Sequence, residues 1–262
     1  MILIDSHCHL DKINFKKINK TIEDVMEESE KKHVKYFLNV STSIKNFDKM
    51  KLFLKNRKNI FYSCGIHPFY YEKNIRSNQI IKRLKDTKVI AVGETGLDYS
   101  HKNIISKQKQ EKLFIQQIKI SKKVEKPLII HTRNSIQDVI KILKNFKIDE
   151  SKVIIHSFNE TNIEIVKKII ELNFYFSISG IVTFKNAKNL RKIIEYLPLN
   201  RILIETDSPY LSPEPNRGKV NTPSNLYYII KCIAKIKKID LLEISKIMIK
   251  NFQKLFNLKI KI

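Results

Sequence analysis

The stretch Ile2-Leu-Ile-Asp-Ser-His-Cys-His9 begins with aliphatic residues and ends with polar ones, so a strand formed here buries its start and presents chemistry at its finish. A strand's period of two places Asp5, His7 and His9 on one face and Ser6 and Cys8 on the other. Seven more short runs rich in Ile, Val, Tyr and Phe follow: Val34 to Val40, Ile60 to Gly65, Val89 to Gly93, Leu128 to Ile130, Val153 to Ile155, Phe174 to Ile178 and Ile202 to Ile204. Several are continuously apolar, as strands covered on both faces should be. The segments between them carry helical stripes, such as Ile136, Val139, Ile140, Leu143 and Phe146, or Ala187, Leu190, Ile193, Ile194 and Leu197. Eight βα repeats in 262 residues predict an α/β protein of one domain, residues 1–262, folded as a (β/α)8 TIM barrel. Two helices, near 224–237 and 241–256, follow the eighth run, so the barrel gains an extra C-terminal helix.

The remaining composition mostly excludes. All five glycines are expected at or just after strand ends, and none forms a GxGxxG or Walker loop, which disfavours a nucleotide cofactor. The longest uncharged apolar stretch, Phe174 to Phe184, falls short of the ~18 residues that span a bilayer, and no export signal is visible, so no membrane partner is expected. Cys8, Cys64 and Cys232 are odd in number and lack CxxC spacing, which fits a reducing cytoplasm. The net charge of +24 suggests nucleic acid, but only seven of the 50 basic residues are arginine, and the lysines are spread over nearly every helix. That spread, with abundant Ile and Asn, reads as compositional drift rather than as a built binding surface.

The chemistry lies where the runs end. His7 and His9, His67 in Gly65-Ile-His-Pro68, Glu94 in Gly93-Glu-Thr-Gly96, His131 in His-Thr-Arg133, His156 in His-Ser-Phe158 and Asp207 in Glu205-Thr-Asp-Ser-Pro209 each follow a different apolar run. Barrel enzymes build their active sites at this C-terminal end of the strands. Each motif alone is weak, but five of the chain's seven histidines fall there, and only His33 and His101 lie elsewhere, where a solvated or structural role is expected.

Four imidazoles and two carboxylates suit two divalent cations such as Zn, Mn or Mg. His7, His9 and Asp207 are the expected ligands of one ion and His131 and His156 of the other, with Glu94 bridging them. Such a pair activates a shared water and stabilises developing negative charge. Asp207 is placed to take the water's proton. Asp5 either fixes an imidazole tautomer or is structural. His67 could be a third-site ligand, a phosphate donor or a loop histidine, and substrate binding is the expectation. Arg133, two residues beyond His131, points the same way along a strand and offers a bidentate fork to a phosphate.

These motifs, with Ser179-Gly-Ile-Val-Thr-Phe184 and Arg217-Gly-Lys219, follow in order and at similar spacing those of the TatD-type metal-dependent deoxyribonucleases, which the chain resembles over nearly its whole length. The resemblance implies a barrel related to the amidohydrolases, two divalent cations on the six residues named above, and hydrolysis of phosphodiester bonds in DNA. Ser157, Asn216 and Thr222 depart from the family's usual residues, and the loop bearing the last two is expected to frame the site. The expected activity is therefore an ester hydrolase, most simply a nuclease favouring single-stranded DNA. The alternative is another ester or amide hydrolase, for example of aminoacyl esters on tRNA, using the same centre. The oligomeric state is open, with a monomer as the simplest expectation.

Overall fold

Strands that are apolar on both faces must be covered on both, and a ring of strands sheathed by helices does this with no exposed edge. The computed structural model, which describes residues 1–71, 75–100, 104–146 and 152–260, has this form. Its strands are β1 (Leu3–Cys8), β2 (Val34–Asn39), β3 (Ile60–Cys64), β4 (Val89–Asp98), β5 (Leu128–Arg133), β6 (Val153–Ile155), β7 (Tyr175–Ile178) and β8 (Ile202–Ile204). They pair in parallel in chain order, a (β/α)8 barrel. Just past β8 the ring is closed onto β1, where the Asp207 N–H donates to His7 O at 2.9 Å and the His9 N–H to Ser208 O at 2.8 Å.

After a short first helix α1 (Phe15–Ile18), a helix follows each strand: α2 (Ile22–Lys31), α3 (Ile44–Phe53), α4 (Ser77–Leu84), α5 (Lys107–Val124), α6 (Ile136–Asn145), α7 (Ile163–Glu171), α8 (Lys188–Tyr196) and α9 (Leu226–Lys237). The expected extra helix is α10 (Leu241–Phe256). The predicted stripes are core faces, since Leu143 of α6 and Ile193 of α8 join the apolar layer between strands and helices. A separate cluster fills the barrel: Ile4, Ile90, Ile129, Ile154, Tyr175 and Leu203 meet Phe252 and Phe256 of α10, which plugs the N-terminal end of the strands. Asn251 ties the plug down, its side-chain amide donating to Leu199 O and Ile202 O at 2.8 Å each. The polar end is thereby left as the open one.

Three expectations change. First, β1 does not alternate throughout. Ser6 and His7 both face the lumen, Ser6 bonding Ser177 across it at 2.9 Å and His7 stacking on His156, and the pairing with β2 shifts between Asp5 and Cys8. Asp5 therefore does not share a face with His7 and His9. Second, β4 runs to Asp98 and β5 to Arg133, so Gly93 and Gly96 lie inside a strand and Gly218 in the long loop after β8, rather than all five at strand ends. Gly96 has φ +133, and a Cβ there would fall 2.0 Å from His131 O, so only glycine lets β4 lie this close to β5. Third, α9 begins at Leu226, after a 3-10 turn at Pro223–Asn225. Among the described residues no helix is long and apolar enough to cross a membrane. The three cysteines are free thiols.

Candidate metal centre

Above the apolar plug the strand ends bring six predicted residues together. β1 supplies His7 and, one residue on, His9. β4 supplies Glu94 and β5 His131, His156 follows β6, and Asp207 follows β8. All except the half-buried His131 are buried. In one half of the cluster His7 Nε2 and His9 Nε2 lie 3.3 Å apart, with Asp207 Oδ1 at 3.7 and 3.6 Å and Glu94 Oε2 at 3.7 and 3.9 Å. In the other half Glu94 Oε1 lies 3.0 Å from His131 Nδ1 and 3.5 Å from His156 Nε2. The two oxygens of one carboxylate thus face two sets of imidazoles.

Hydrogen bonds outside the cluster assign its protons. A carbonyl can only accept, so the 2.7 Å contact between His9 Nδ1 and Val40 O places a proton on Nδ1 and leaves Nε2 as a lone pair aimed inward. Burial, and next the neighbouring His156, push His7 well below the usual imidazole range, so it is neutral, and its Nδ1 is buried without a hydrogen-bond partner. His131 directs Nε2 at Asp98 Oδ2, 2.8 Å away, and His156 Nδ1 forms an ion-pair contact with Glu205 Oε1, also 2.8 Å away. Burial alone would lower His156, but Glu205, Glu94 and Asp207 outweigh it and push it up to about 10. Burial likewise opposes ionisation of Glu94, yet the surrounding imidazoles hold it well below the carboxylate range. Imidazole nitrogens converging on an ionised carboxylate, those of the second half once deprotonated, are the donor chemistry of a transition-metal or Zn site. The residues present fit divalent cations.

His67 joins the cluster but with different chemistry. Its Nδ1 accepts the Phe69 N–H at 3.1 Å, which places the proton of the neutral ring on Nε2, 3.7 Å from Glu94 Oε1. Burial, then His131, lower it to about 3, so the neutral form dominates. An N–H directed at the centre is a donor, while His67 also lies with Glu94 and His131 in a group close enough to hold a cation. Arg133 is exposed at the rim, and its guanidinium has no ion-pair partner among the described residues. A cavity of about 320 Å³ joins these groups, lined by His9, His67, Glu94, His131, Arg133 and Asp207 among others.

Three residues around the cluster escaped the sequence reading. Asp98 and Glu205 orient His131 and His156, and the period of two offers their signal, since Glu94 and Asp98 sit four apart and Glu205 and Asp207 two apart. Lys12 lines the cavity and bonds Thr42 Oγ1 at 3.2 Å, and nothing in its sequence neighbourhood marks it out. Asp5 orients no imidazole. It accepts from Thr206 N at 2.9 Å and from the Thr206 hydroxyl, so of its two expected roles the structural one holds. The loop after β8 frames the centre only through Asp207 and Tyr210, while Asn216 and Thr222 line a separate groove of about 520 Å³ with Lys17, Lys20 and Lys219. His33 is exposed on a positive-φ turn, as a solvated histidine should be, and His101 lies outside the described residues.

With this geometry in hand, comparison with known proteins is decisive: the sequence profile described as TatD related DNase matches residues 4–257. The chain belongs to the TatD family. Among TatD relatives, an uncharacterized metal-dependent hydrolase of Buchnera aphidicola subsp. Baizongia pistaciae is 48% identical over 98% of this chain and 97% of that protein. The uncharacterized metal-dependent hydrolase YcfH of Escherichia coli K12 is 37% identical over 98% and 97% of the respective chains. The crystal structure of YjjV, a TatD homolog from E. coli K12, superposes with a TM-score of 0.88 at 24% identity, covering 98% of both chains, and so shares the fold. The protein is thus a metal-dependent hydrolase of the TatD type.

Proposed function

We propose that this TatD-type hydrolase cleaves phosphodiester bonds in DNA at a centre of two divalent cations. The carrying observation is Arg133, a guanidinium without an ion-pair partner among the described residues, on the same cavity as the metal cluster. A planar fork there matches two oxygens of a phosphodiester, which an amide or aminoacyl ester does not offer. The family's description as DNases supports the same bond.

In this reading His7, His9 and Asp207 would hold one cation and His131 and His156 the other, with the Glu94 carboxylate lying between them. The bound cations supply Lewis acidity, lower the pKa of a shared water and stabilise charge on the phosphoryl oxygens. The chain does the rest. Arg133 orients the phosphate, and the His67 Nε2–H donates to it. Asp207, at the edge of the cluster, accepts a proton from the attacking water. Asp98 and Glu205 hold His131 and His156 in the ring orientation that presents a lone pair inward. The apolar plug below the centre keeps bulk water from that side.

The test is to strip the protein with chelator, reload it with Mg, Mn or Zn, and offer single-stranded DNA, duplex DNA and D-aminoacyl-tRNA. Cleavage of single-stranded DNA that returns with metal is expected. Chelator-insensitive activity, full activity in Asp207→Asn or Glu94→Gln, or cleavage of the aminoacyl ester alone would overturn the reading.

A further inference from the structure

The cavity above the cluster has two chemically different sides. Arg133, the last residue of β5, and Lys12, after β1, supply cations. Phe69, Tyr70 and Tyr210 supply aromatic rings that are 43%, 49% and 51% exposed. Large aromatics are rarely left so open. Among the described residues only two other phenylalanines or tyrosines, Phe53 and Tyr196, are exposed to this degree, and neither lines this cavity. Three of five converging on one opening is a feature that barrel packing does not require.

These rings are held in place. Phe69 and Tyr70 ride on a 3-10 turn, Pro68–Tyr70, pinned to His67 by the Phe69 N–H to its Nδ1 at 3.1 Å and the Tyr70 N–H to its carbonyl at 2.9 Å. The Tyr210 N–H donates to Asp207 O at 2.8 Å, and the Asn221 side chain holds the Tyr210 carbonyl at 2.6 Å. They also abut the centre itself, with ring centroids 5.0 Å (Phe69) and 6.2 Å (Tyr70) from His67 and 6.1 Å (Tyr210) from His9. A phosphate lying on the cluster therefore has aromatic rings carried on pinned backbone within one nucleotide's reach.

We infer that Phe69, Tyr70 and Tyr210 form a stacking wall for the nucleobases flanking the scissile phosphate, and that this wall, rather than the lysine-rich surface, selects unpaired strands. The inference rests on the nuclease reading above. Bases stack on aromatic rings whatever their identity, so the wall is tolerant of sequence. A duplex hides both faces of each base in its own stack and must first give up that stacking, so paired DNA is disfavoured. The hydroxyls of Tyr70 and Tyr210 are not required, because the π face makes the contact.

The experiment uses the Mn-loaded full-length enzyme and two single-stranded oligonucleotides of equal length, one with bases and one with abasic sites throughout. The wild type is expected to show a kcat/KM about tenfold or more higher for the base-bearing strand. Tyr210→Ala and Phe69→Ala are each expected to bring that ratio down by about tenfold, chiefly through KM. Tyr210→Leu should behave like the alanine variant, since it keeps apolar bulk without a π face, and Tyr210→Phe like the wild type. Tyr196→Ala, remote from the cavity, is the control, and melting temperatures confirm that each variant folds. A wild type that cleaves both strands without discrimination, alanine variants that keep the ratio, or a leucine variant that retains it overturns the stacking wall while leaving the nuclease reading intact. A wild type that cleaves neither strand removes both.

Discussion

The two halves of the metal centre hold their imidazoles by different means. In the half built on His7 and His9, the partner is a backbone carbonyl, Val40 O, and burial keeps His7 neutral. In the half built on His131 and His156, the partners are buried carboxylates, Asp98 and Glu205, and His156 is driven up to about 10. A carbonyl orients a ring without adding charge, whereas a carboxylate orients it and makes it more basic. His7 is therefore ready to meet a cation near neutral pH, whereas His156 would have to give up a proton to do so.

Substitutions shared by or unique to each half test this contrast. Glu94→Gln and Asp207→Asn should have the largest effect, a fall in kcat of about 10²–10⁴-fold. Metal content by mass spectrometry should separate them, because Glu94→Gln weakens both halves and Asp207→Asn only the first. If Glu94→Gln empties one half alone, the carboxylate does not bridge. Asp98→Asn and Glu205→Gln should come next, each weakening the second cation by about 10–100-fold in a calorimetric titration. Equal weakening of both cations would remove the distinction between the halves.

The pH dependence sharpens it further. Because a cation must displace the proton on His156, affinity for the second cation should rise about tenfold per pH unit through neutrality toward about 10, with proton release seen as a buffer-dependent heat. The site containing His7 should change much less, and a steep slope for both cations would contradict the contrast. In the metal-free protein the sign reverses. A histidine raised from 6.5 to about 10 stabilises fully below 6.5 and loses that contribution as pH climbs through 10.

Asp5 gives the smallest effect. Burial pushes it up from 3.8 to about 8, so the unfolded chain sheds its proton first and stability falls between those values. Asp5→Asn should flatten the decline in melting temperature between pH 5 and 8 by roughly 2–4 °C, while leaving metal binding in both halves intact. A change in metal affinity instead would return Asp5 to the centre.

Much of this was legible in the chain because β/α repetition writes itself into hydrophobic periodicity. The eight runs predicted all eight strands, and β6 and β8 matched residue for residue. The misses have separate physical causes. β4 and β5 continue past the apolar runs through polar residues, which hydrophobicity cannot recognise as strand. Asp5 was placed on the wrong face because strict alternation fails where β1 shifts register to turn both Ser6 and His7 inward. Lys12 and the aromatic wall could not be found at all, since they approach the centre from loops.

Sequence alone therefore determined the fold class and the six candidate ligands of this TatD-type centre: apolar runs dictate which segments are buried, and histidines and carboxylates at their ends are too concentrated to be incidental. Only the tertiary structure decided how these side chains meet. Which oxygen of Glu94 faces which imidazole, which ring nitrogen carries the proton, and which carboxylate backs each histidine depend on contacts between residues far apart in the chain. Glycine at position 96 lets β4 and β5 approach closely, and the register shift in β1 turns His7 inward, and both act through distances of a few ångströms. Residue spacing along a chain carries no measure of such distances, and they are what turn a set of ligands into a centre with two unlike halves.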